Sequence, residues 1–364
     1  MGNIVVKLLR SGLTNYKKQK DIRFLFRRIK GKYLKLQSNR SLSREQEAEI
    51  KQYYKDKLGI DITLIWHRYY YRRTGVFSPR FIPTFLFNTE LLGRANQMQL
   101  HKAYQDKNLA DRIITGIKHP ETILKNMNGY WYIDNIPVSE NQALKSCWNI
   151  SDVIIKPSCS YHGNNVQKIS VHDGITSNDG ISIQELFRQY GSNFIVQKAI
   201  KQHEALSALN PTSINTIRIL TYRSEMEILI LYTVIRIGRL GWIIDNESAG
   251  GMSARINTDG TLAKYAVSKP GEDSIEKTDT NIILEGYKIP SYDEAMESVK
   301  RAHLQVPFFN IVGWDIAIDF DGNPILVEWN TFPGLSQSAN RGPAFGEYTE
   351  RIFKELWGRP NTMY

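Results

Sequence analysis

The chain has 364 residues, 41% hydrophobic and 23% charged, proportions that suit a globular protein and exclude a disordered one. No apolar run approaches the roughly 18 residues a membrane span needs, and the two cysteines, Cys147 and Cys159, fit a reducing compartment rather than a disulfide framework. The net charge of +10 is uneven, because residues 1–80 hold 20 Lys and Arg against 6 Asp and Glu, which leaves 27 against 31 for the rest.

The opening MGNIVVKLLRSGLTNYKKQK has too short an apolar core for a secretory signal. Val6 stands where the myristoylation pattern wants Ser or Thr, so a cytoplasmic protein is expected. Basic and aromatic residues mix in KKQKDIRFLFRRIKGKYLK and HRYYYRRTG. Such a surface attracts anionic lipid at the inner face of a membrane, a polyanionic glycan or nucleic acid. No RNA-binding signature accompanies it, so nucleic acid is not expected. A solvated basic helical face is the simpler reading, and a third is that Phe24, Leu25, Phe26 and Ile29, or Tyr53 and Tyr54, pack on the catalytic unit.

SLSREQEAEIKQYYKDKLG reads as a helix, with Ser43 as N-cap, Gln46 closing a capping box and Gly59 as the stop. Pro79 and Pro83 mark a boundary, and the stretch from Asn88 to Gly116 is again helical with short turns. Beyond it DVIIKPS, VQKISV and NFIVQKAI are strands around a helix, SIQELFRQYG. From Thr216 strands dominate, in TIRILTY, EILILYTVIRIG, SARINTDGTLAKYAV and GWDIAIDFDGNPILVEWN. The class is therefore α+β, with YDEAMESVKRAHLQV and GEYTERIFKELWG expected to cover one face of a mainly antiparallel sheet.

The last hairpin poses the sharpest problem. A two-residue type I′ turn at Asp321-Gly322 places Phe320 opposite Asn323, Ile318 opposite Ile325, Ile316 opposite Val327 and Asp315 opposite Glu328. Asp315, Glu328 and Asn330 then share one face and Ile316, Ile318, Ile325 and Val327 the other. Opposed like charges destabilise a sheet. A hard divalent ion would resolve the conflict, as would an edge hairpin whose acids lie in water. A three-residue loop would put Asp315 opposite Trp329 instead.

Two further constellations precede it. In VIIKPSCSYHGNNVQKI, Lys156 leaves a strand and enters a loop containing Ser158, Ser160, His162 and Gly163. Such a loop can cradle phosphate on backbone N–H groups with a fixed positive charge beside it, or be a plain polar hairpin. In FIVQKAIKQHE, Gln197, Lys198 and Ile200 lead to Glu204. This arrangement offers an apolar slot for a nucleobase and a carboxylate for ribose hydroxyls, or a buried strand running into a surface loop.

Taken in this order, the three sites resemble the ATP-grasp enzymes, and most closely the sugar-transfer-associated branch found with bacterial surface-polysaccharide genes, from about Phe81 to Trp357. The resemblance implies an ATP-grasp fold, with a small α/β lid subdomain over 151–204 and a larger antiparallel catalytic subdomain over 205–364. An N-terminal subdomain over 81–150 and a basic helical extension over 1–80 complete the chain. It implies that Lys107 in QDKNL and Lys156 meet the nucleotide phosphates, with Ser158 and Gly163 in the phosphate loop. Gln197, Lys198 and Ile200 would lie at the adenine and Glu204 at the ribose. Asp315, Glu328 and Asn330 match the ligands of Mg²⁺, usually two ions, and Arg218 and Arg236 match arginines near the γ-phosphate. Asn215, Asp245, Asn246, Gly250, Gly251 and Arg341 lie where an acceptor would bind. Two departures stand out. Gln197 replaces an acidic residue, and Gly313 stands where some relatives carry arginine.

The chemistry so implied is ATP-dependent carboxylate–amine ligation through an acylphosphate. It would join an amino acid or amine to a uronic acid or amino sugar, a small-molecule or glycan acceptor carrying a carboxylate or amine. A kinase acting on a sugar or lipid hydroxyl is the rival enzyme, and a nucleotide-gated glycan or membrane scaffold the non-catalytic alternative.

Overall fold

Capping chemistry sets the limits of the N-terminal helices, α1 (Gly2–Leu34), α2 (Arg44–Leu58) and α3 (Ile65–Thr74). The Gln46 backbone N–H donates to Ser43 Oγ at 3.2 Å while the Ser43 N–H donates to Gln46 Oε1 at 2.9 Å, the reciprocal pattern of a capping box. Gly59 ends α2 at φ +68°, a left-handed conformation that costs glycine little. The computed structural model describes residues 2–159, 165–225, 227–242, 245, 250–270, 272 and 274–363, with backbone alone over residues 2–14.

The extension is packed as well as solvated. Leu25 and Ile29 of α1 are buried with Trp66, Tyr69 and Tyr70 of α3 and with Phe81, whereas Tyr54 of α2 joins a separate core beside Ile352, Phe353 and Leu356. Phe26 lies edge-on to Trp66 at 4.7 Å, and Phe24 is exposed. Burying each large aliphatic side chain contributes about 1.5–3 kcal/mol, so the packing reading of this region holds, while Arg23, Arg27, Arg28 and Lys30 of α1 stay exposed and Arg73 of α3 is buried.

Seven strands form the first sheet: β1 (Thr122–Met127), β2 (Tyr130–Ile133), β3 (Ile136–Val138), β4 (Ile150–Pro157), β5 (Gln167–His172), β6 (Ile175–Thr176) and β7 (Asn193–Lys198). Their order is β3-β2-β1-β7-β4-β5-β6. Because β1 pairs with β7, the boundary expected at residue 151 falls inside one sheet. Helix Ile183–Tyr190 closes its core with Leu186 and Phe187.

The second sheet holds β8 (Ile217–Arg223), β9 (Ile228–Ile237), β10 (Met252–Ile256), β11 (Leu262–Val267), β12 (Ile311–Ile318) and β13 (Pro324–Asn330). Its order is β11-β10-β9-β8-β12-β13. The two C-terminal helices lie on opposite faces, which corrects the expectation that both cover one. Ala295, Met296 and Val299 pack beside Ile217, Ile219 and Ile316, whereas Ile352 and Phe353 pack beside Leu220 and Tyr222. A central sheet buried on both faces has no solvated side to leave open.

The β12–β13 hairpin also departs from the expected turn. Asp319 N–H donates to the Asn323 carbonyl at 3.0 Å and Gly322 has φ +86°, so the loop is three residues long, 320–322, with glycine in the left-handed position, and it is not the three-residue loop that would set Asp315 against Trp329. Ile318 therefore faces Pro324 and Ile316 faces Leu326. That register alone would set Asp315 against Val327. A bulge between Asp315 and Ile316 restores the pairing of Asp315 with Glu328, and the extra residue, Val327, turns out of the core that Leu326 enters.

Candidate functional site

The bulged hairpin brings the two acids together, and β8 and β9 supply the compensating charge. Asp315 pairs with Arg218 across the β12–β8 ladder, and the guanidinium donates twice, Nε to Oδ1 at 2.5 Å and NH2 to Oδ2 at 2.7 Å. Arg236 of β9 reaches the same carboxylate at 3.3 Å. Burial alone would raise the Asp315 pKa, but the two guanidinium charges outweigh it and hold the carboxyl below its ordinary value. Burial likewise disfavours charge on Arg218, and Asp315 more than offsets it. Gly313 leaves room for this pair. A Cβ there would stand 2.9 Å from Pro333 Cβ and 3.4 Å from Arg218 NH1, so a side chain at 313 would press on Pro333 first.

Glu328 is the open member of the set. Its side chain is 33% exposed against 7% for Asp315, and Lys107 Nζ lies 3.4 Å away. Asn330 Oδ1 is 3.5 Å from Gln105 Nε2, a long contact. Carboxylate and amide oxygens are the donors magnesium takes, and each carboxylate oxygen has two lone pairs, so the set fits such an ion with Glu328 and Asn330 as the accessible ligands. Among the described residues no group of three or more His, Cys, Asp or Glu has the arrangement of a metal site, consistent with a set of two acids and one amide.

Lys156 sits on β4 and is 8% exposed. Burial, then the neighbouring Lys107 charge, lowers its pKa to about 8, with Glu328 opposing. The Lys107 N–H donates to the Ser158 carbonyl at 3.0 Å and the Ser158 N–H donates to the Asn193 carbonyl at 2.9 Å. The fully buried Ser158 thus ties the end of β4 to its neighbours. Gly163 lies outside the described residues, as do Ser160 and His162.

A cavity of about 560 Å³ opens between the two sheets. Lys107, Lys156, Gln197, Lys198, Ile200, Glu204, Arg236, Asp245, Asp315 and Glu328 all line it, so ten of the residues singled out from sequence converge here. Ile154, Val166, Ala199, Ile214 and Val327 give it apolar walls. Gln197 Nε2 donates to Thr122 Oγ1 at 3.1 Å, and Lys198 Nζ pairs with Glu121 at 2.7 Å. Asp245 accepts from Thr216 Oγ1 at 2.5 Å, and burial pushes its pKa up to about 6 against the pull of Arg236.

Four residues proposed for the acceptor fall elsewhere. Asn215 is fully buried, with its amide donating to the Leu206 and Asn210 carbonyls at 2.7 and 2.9 Å. It braces a turn. Gly250 and Gly251 accept from Ser268 Oγ at 3.0 Å at the entry to β10, and Arg341 lies 4.6 Å over the Tyr265 ring. Asn246 lies outside the described residues.

A second cavity, about 450 Å³, meets the first at Arg236, Asp315 and Glu328, and Arg218 and Asn330 line it too. Its far wall comes from α1 and α3, through Arg28, Lys32, Trp66, Tyr69, Tyr70 and Arg73, and its floor from the loop Phe332–Ser336. Sequence reasoning missed this use of the extension, although the basic-aromatic mixture in both segments was the signal. It also missed Gln105, and His101, whose Nδ1 lies 2.7 Å from Thr331 Oγ1.

The model of the sugar-transfer associated ATP-grasp family matches residues 86–350. The chain belongs to that family. The expected family and fold therefore stand, and residues 1–85 precede the matched region. No curated protein matches the sequence. Solved structures similar to the chain include the VanG D-Ala:D-Ser ligase from Enterococcus faecalis, at 13% identity and TM-score 0.41 over 71% of this chain and 62% of that one. The ATP-grasp ligase PsnB, complexed with a phosphomimetic variant of its minimal precursor, Mg and ADP, is 12% identical, with TM-score 0.38 over 70% of this chain and 58% of its own. The L-amino acid ligase from Bacillus licheniformis is 11% identical, with TM-score 0.38 over 73% and 50%. The chain thus spans less than two thirds of the length of each of these three. No helix among the described residues is long and apolar enough to cross a membrane.

Proposed function

We propose that the protein is an ATP-dependent carboxylate–amine ligase that joins an amino acid or amine to a sugar carboxylate in bacterial surface-polysaccharide synthesis. One observation carries this reading: the two cavities meet at Arg236, Asp315 and Glu328. A nucleotide in the inter-sheet cavity would bring its γ-phosphate to the opening of the other. The apolar walls suit a nucleobase, Glu204 the ribose, and Lys107 and Lys156 the phosphates.

In the first step a carboxylate oxygen of the acceptor, entering from the second cavity, attacks the γ-phosphorus and ADP leaves with the cleaved bond's electrons. Arg236 and Arg218 offset charge on the transferring phosphoryl group, and Asp315 fixes both guanidinium groups in place. An amine then attacks the acyl carbon, losing a proton to solvent or a nearby base, and phosphate departs. Glu328 and Asn330, with Asp315 behind them, would hold Mg²⁺, which when bound screens the phosphate charge. Because the reaction consumes ATP, the cytoplasm, or its membrane face, is the proposed location.

The test is an ADP-release screen of amino acids against uronic acids, with product masses measured. The ligase reading expects free phosphate and a condensed product only when acid and amine are both present. A phosphorylated acceptor formed without amine would replace it with the kinase reading.

A further inference from the structure

We propose that the N-terminal extension completes the acceptor site and selects an acidic saccharide bearing a second anionic group besides the carboxylate that reacts. The inference rests on the ligase reading for the identity of the second cavity as the acceptor site. Five cations, Arg28, Lys32, Arg73, Arg218 and Arg236, line that cavity against two carboxylates, Asp315 and Glu328. An excess of three positive charges around one cavity favours an anionic occupant.

Their distribution gives the inference its detail. Arg218 and Arg236 sit at the inner end, engaged with Asp315 beside the opening to the nucleotide cavity. Arg28 and Lys32 stand one helical turn apart on α1, on the opposite wall, where Arg28 is exposed to solvent. An occupant with two separated anions can engage both groups of cations.

Trp66, Tyr69 and Tyr70, themselves buried, back the wall of this cavity, with Asn88, Ser336 and Ser338 beside them. Amide and hydroxyl groups so placed match the hydroxyl edges of a pyranose. The wall is rigid. Arg73 donates to Tyr69 OH at 3.1 Å and to the Ser268 carbonyl at 2.6 Å. Opposite it, Tyr232 OH donates to the Gly334 carbonyl at 3.1 Å and accepts from the Ser336 N–H at 3.0 Å. A preformed cup of this kind limits the entropy lost on binding.

Calorimetry on the full chain loaded with Mg²⁺ and a non-hydrolysable ATP analogue tests the proposal without turnover. The probes are galacturonic acid, digalacturonic acid, galacturonic acid 1-phosphate and galactose. The two doubly anionic sugars should bind at least about tenfold tighter than galacturonic acid, and galactose weakest. The better of the two identifies the second anion as carboxylate or phosphate. Arg28→Glu with Lys32→Glu should erase that advantage while affinity for the analogue is kept. Arg28→Gln, with folding checked by thermal melt, serves if the reversal does not fold. Equal affinity for singly and doubly anionic sugars, no measurable binding of either, or an advantage that survives the substitutions would overturn the proposal. Doubly anionic binding without ADP release in the amine screen would remove the ligase reading alone, and ligation without the affinity split would remove this inference alone.

Discussion

Asp315→Asn and Glu328→Gln delete one charge each from facing residues of a single hairpin, and the structure assigns them different consequences. Asp315 is buried and holds two guanidinium groups, so its loss takes from the buried Arg218 the carboxylate that accepts both of its hydrogen bonds, and breaking a buried pair costs about 3–5 kcal/mol. Unfolding entropy of about 2.1 cal/mol/K per residue gives about 0.8 kcal/mol/K for 364 residues. The Asp315→Asn melting temperature should then fall by about 4–7 °C. Glu328 is a third exposed and its nearest cation stands 3.4 Å away. A pair of that kind contributes at most about 1 kcal/mol, hence a shift of about 1 °C. Both variants should lose ATP turnover. Scanning calorimetry beside a coupled ADP assay measures both effects, and equal melting shifts for the two variants would refute the assignment of Asp315 as the buried anchor. Parent-level turnover by Glu328→Gln would remove it from the phosphate site.

Lys156 carries a pH prediction. Its folded pKa of about 8 lies below the unfolded value of about 10.5, so the unliganded protein gains stability as pH rises from about 8 to about 10.5. Bound phosphate favours the charged form. Nucleotide binding above pH 8 should therefore take up a proton and weaken by up to about tenfold per pH unit, visible as buffer-dependent heats that vanish in Lys156→Met. Gly313→Ala should lower turnover and melting temperature together, because the new methyl crowds Pro333, whose shift would move the loop beside Arg218, and overpacking costs about 1–3 kcal/mol. Arg341→Ala should leave the acceptor KM unchanged, since its guanidinium lies over Tyr265; a KM rise of tenfold or more would return it to the acceptor site.

Much of the site was readable because each motif had a local cause. The Ser43 capping box and the strand carrying Lys156 follow from residues close in sequence. The hairpin shows the limit of such reasoning. Asp321-Gly322 marked a turn but not its length, and the two departures, a longer loop and a bulge at Val327, cancel from Asp315 back through Trp314 to Gly313. Asn215 and Arg341 have polar side chains suited to substrate, and only tertiary placement shows that backbone carbonyls and an aromatic ring occupy them. β1 to β3 are hard to read from sequence because strands of six, four and three residues are too short to show a period. The role of α1 and α3 was hidden for a different reason: the cavity they complete is shared with residues of β8, β9, β12 and β13 and of the loop after β13, far away in the chain.

Oxygen transfer from acceptor to phosphate tests the central claim most directly. With Mg-ATP, an amine and a uronic acid labelled with ¹⁸O in its carboxylate, attack on the γ-phosphorus moves one labelled oxygen into the phosphate released when the amine displaces it. Mass spectrometry should find one ¹⁸O in each phosphate and one left in the amide product. Phosphate free of label, with both labelled oxygens still on the sugar, would contradict acyl transfer at the junction of the two cavities.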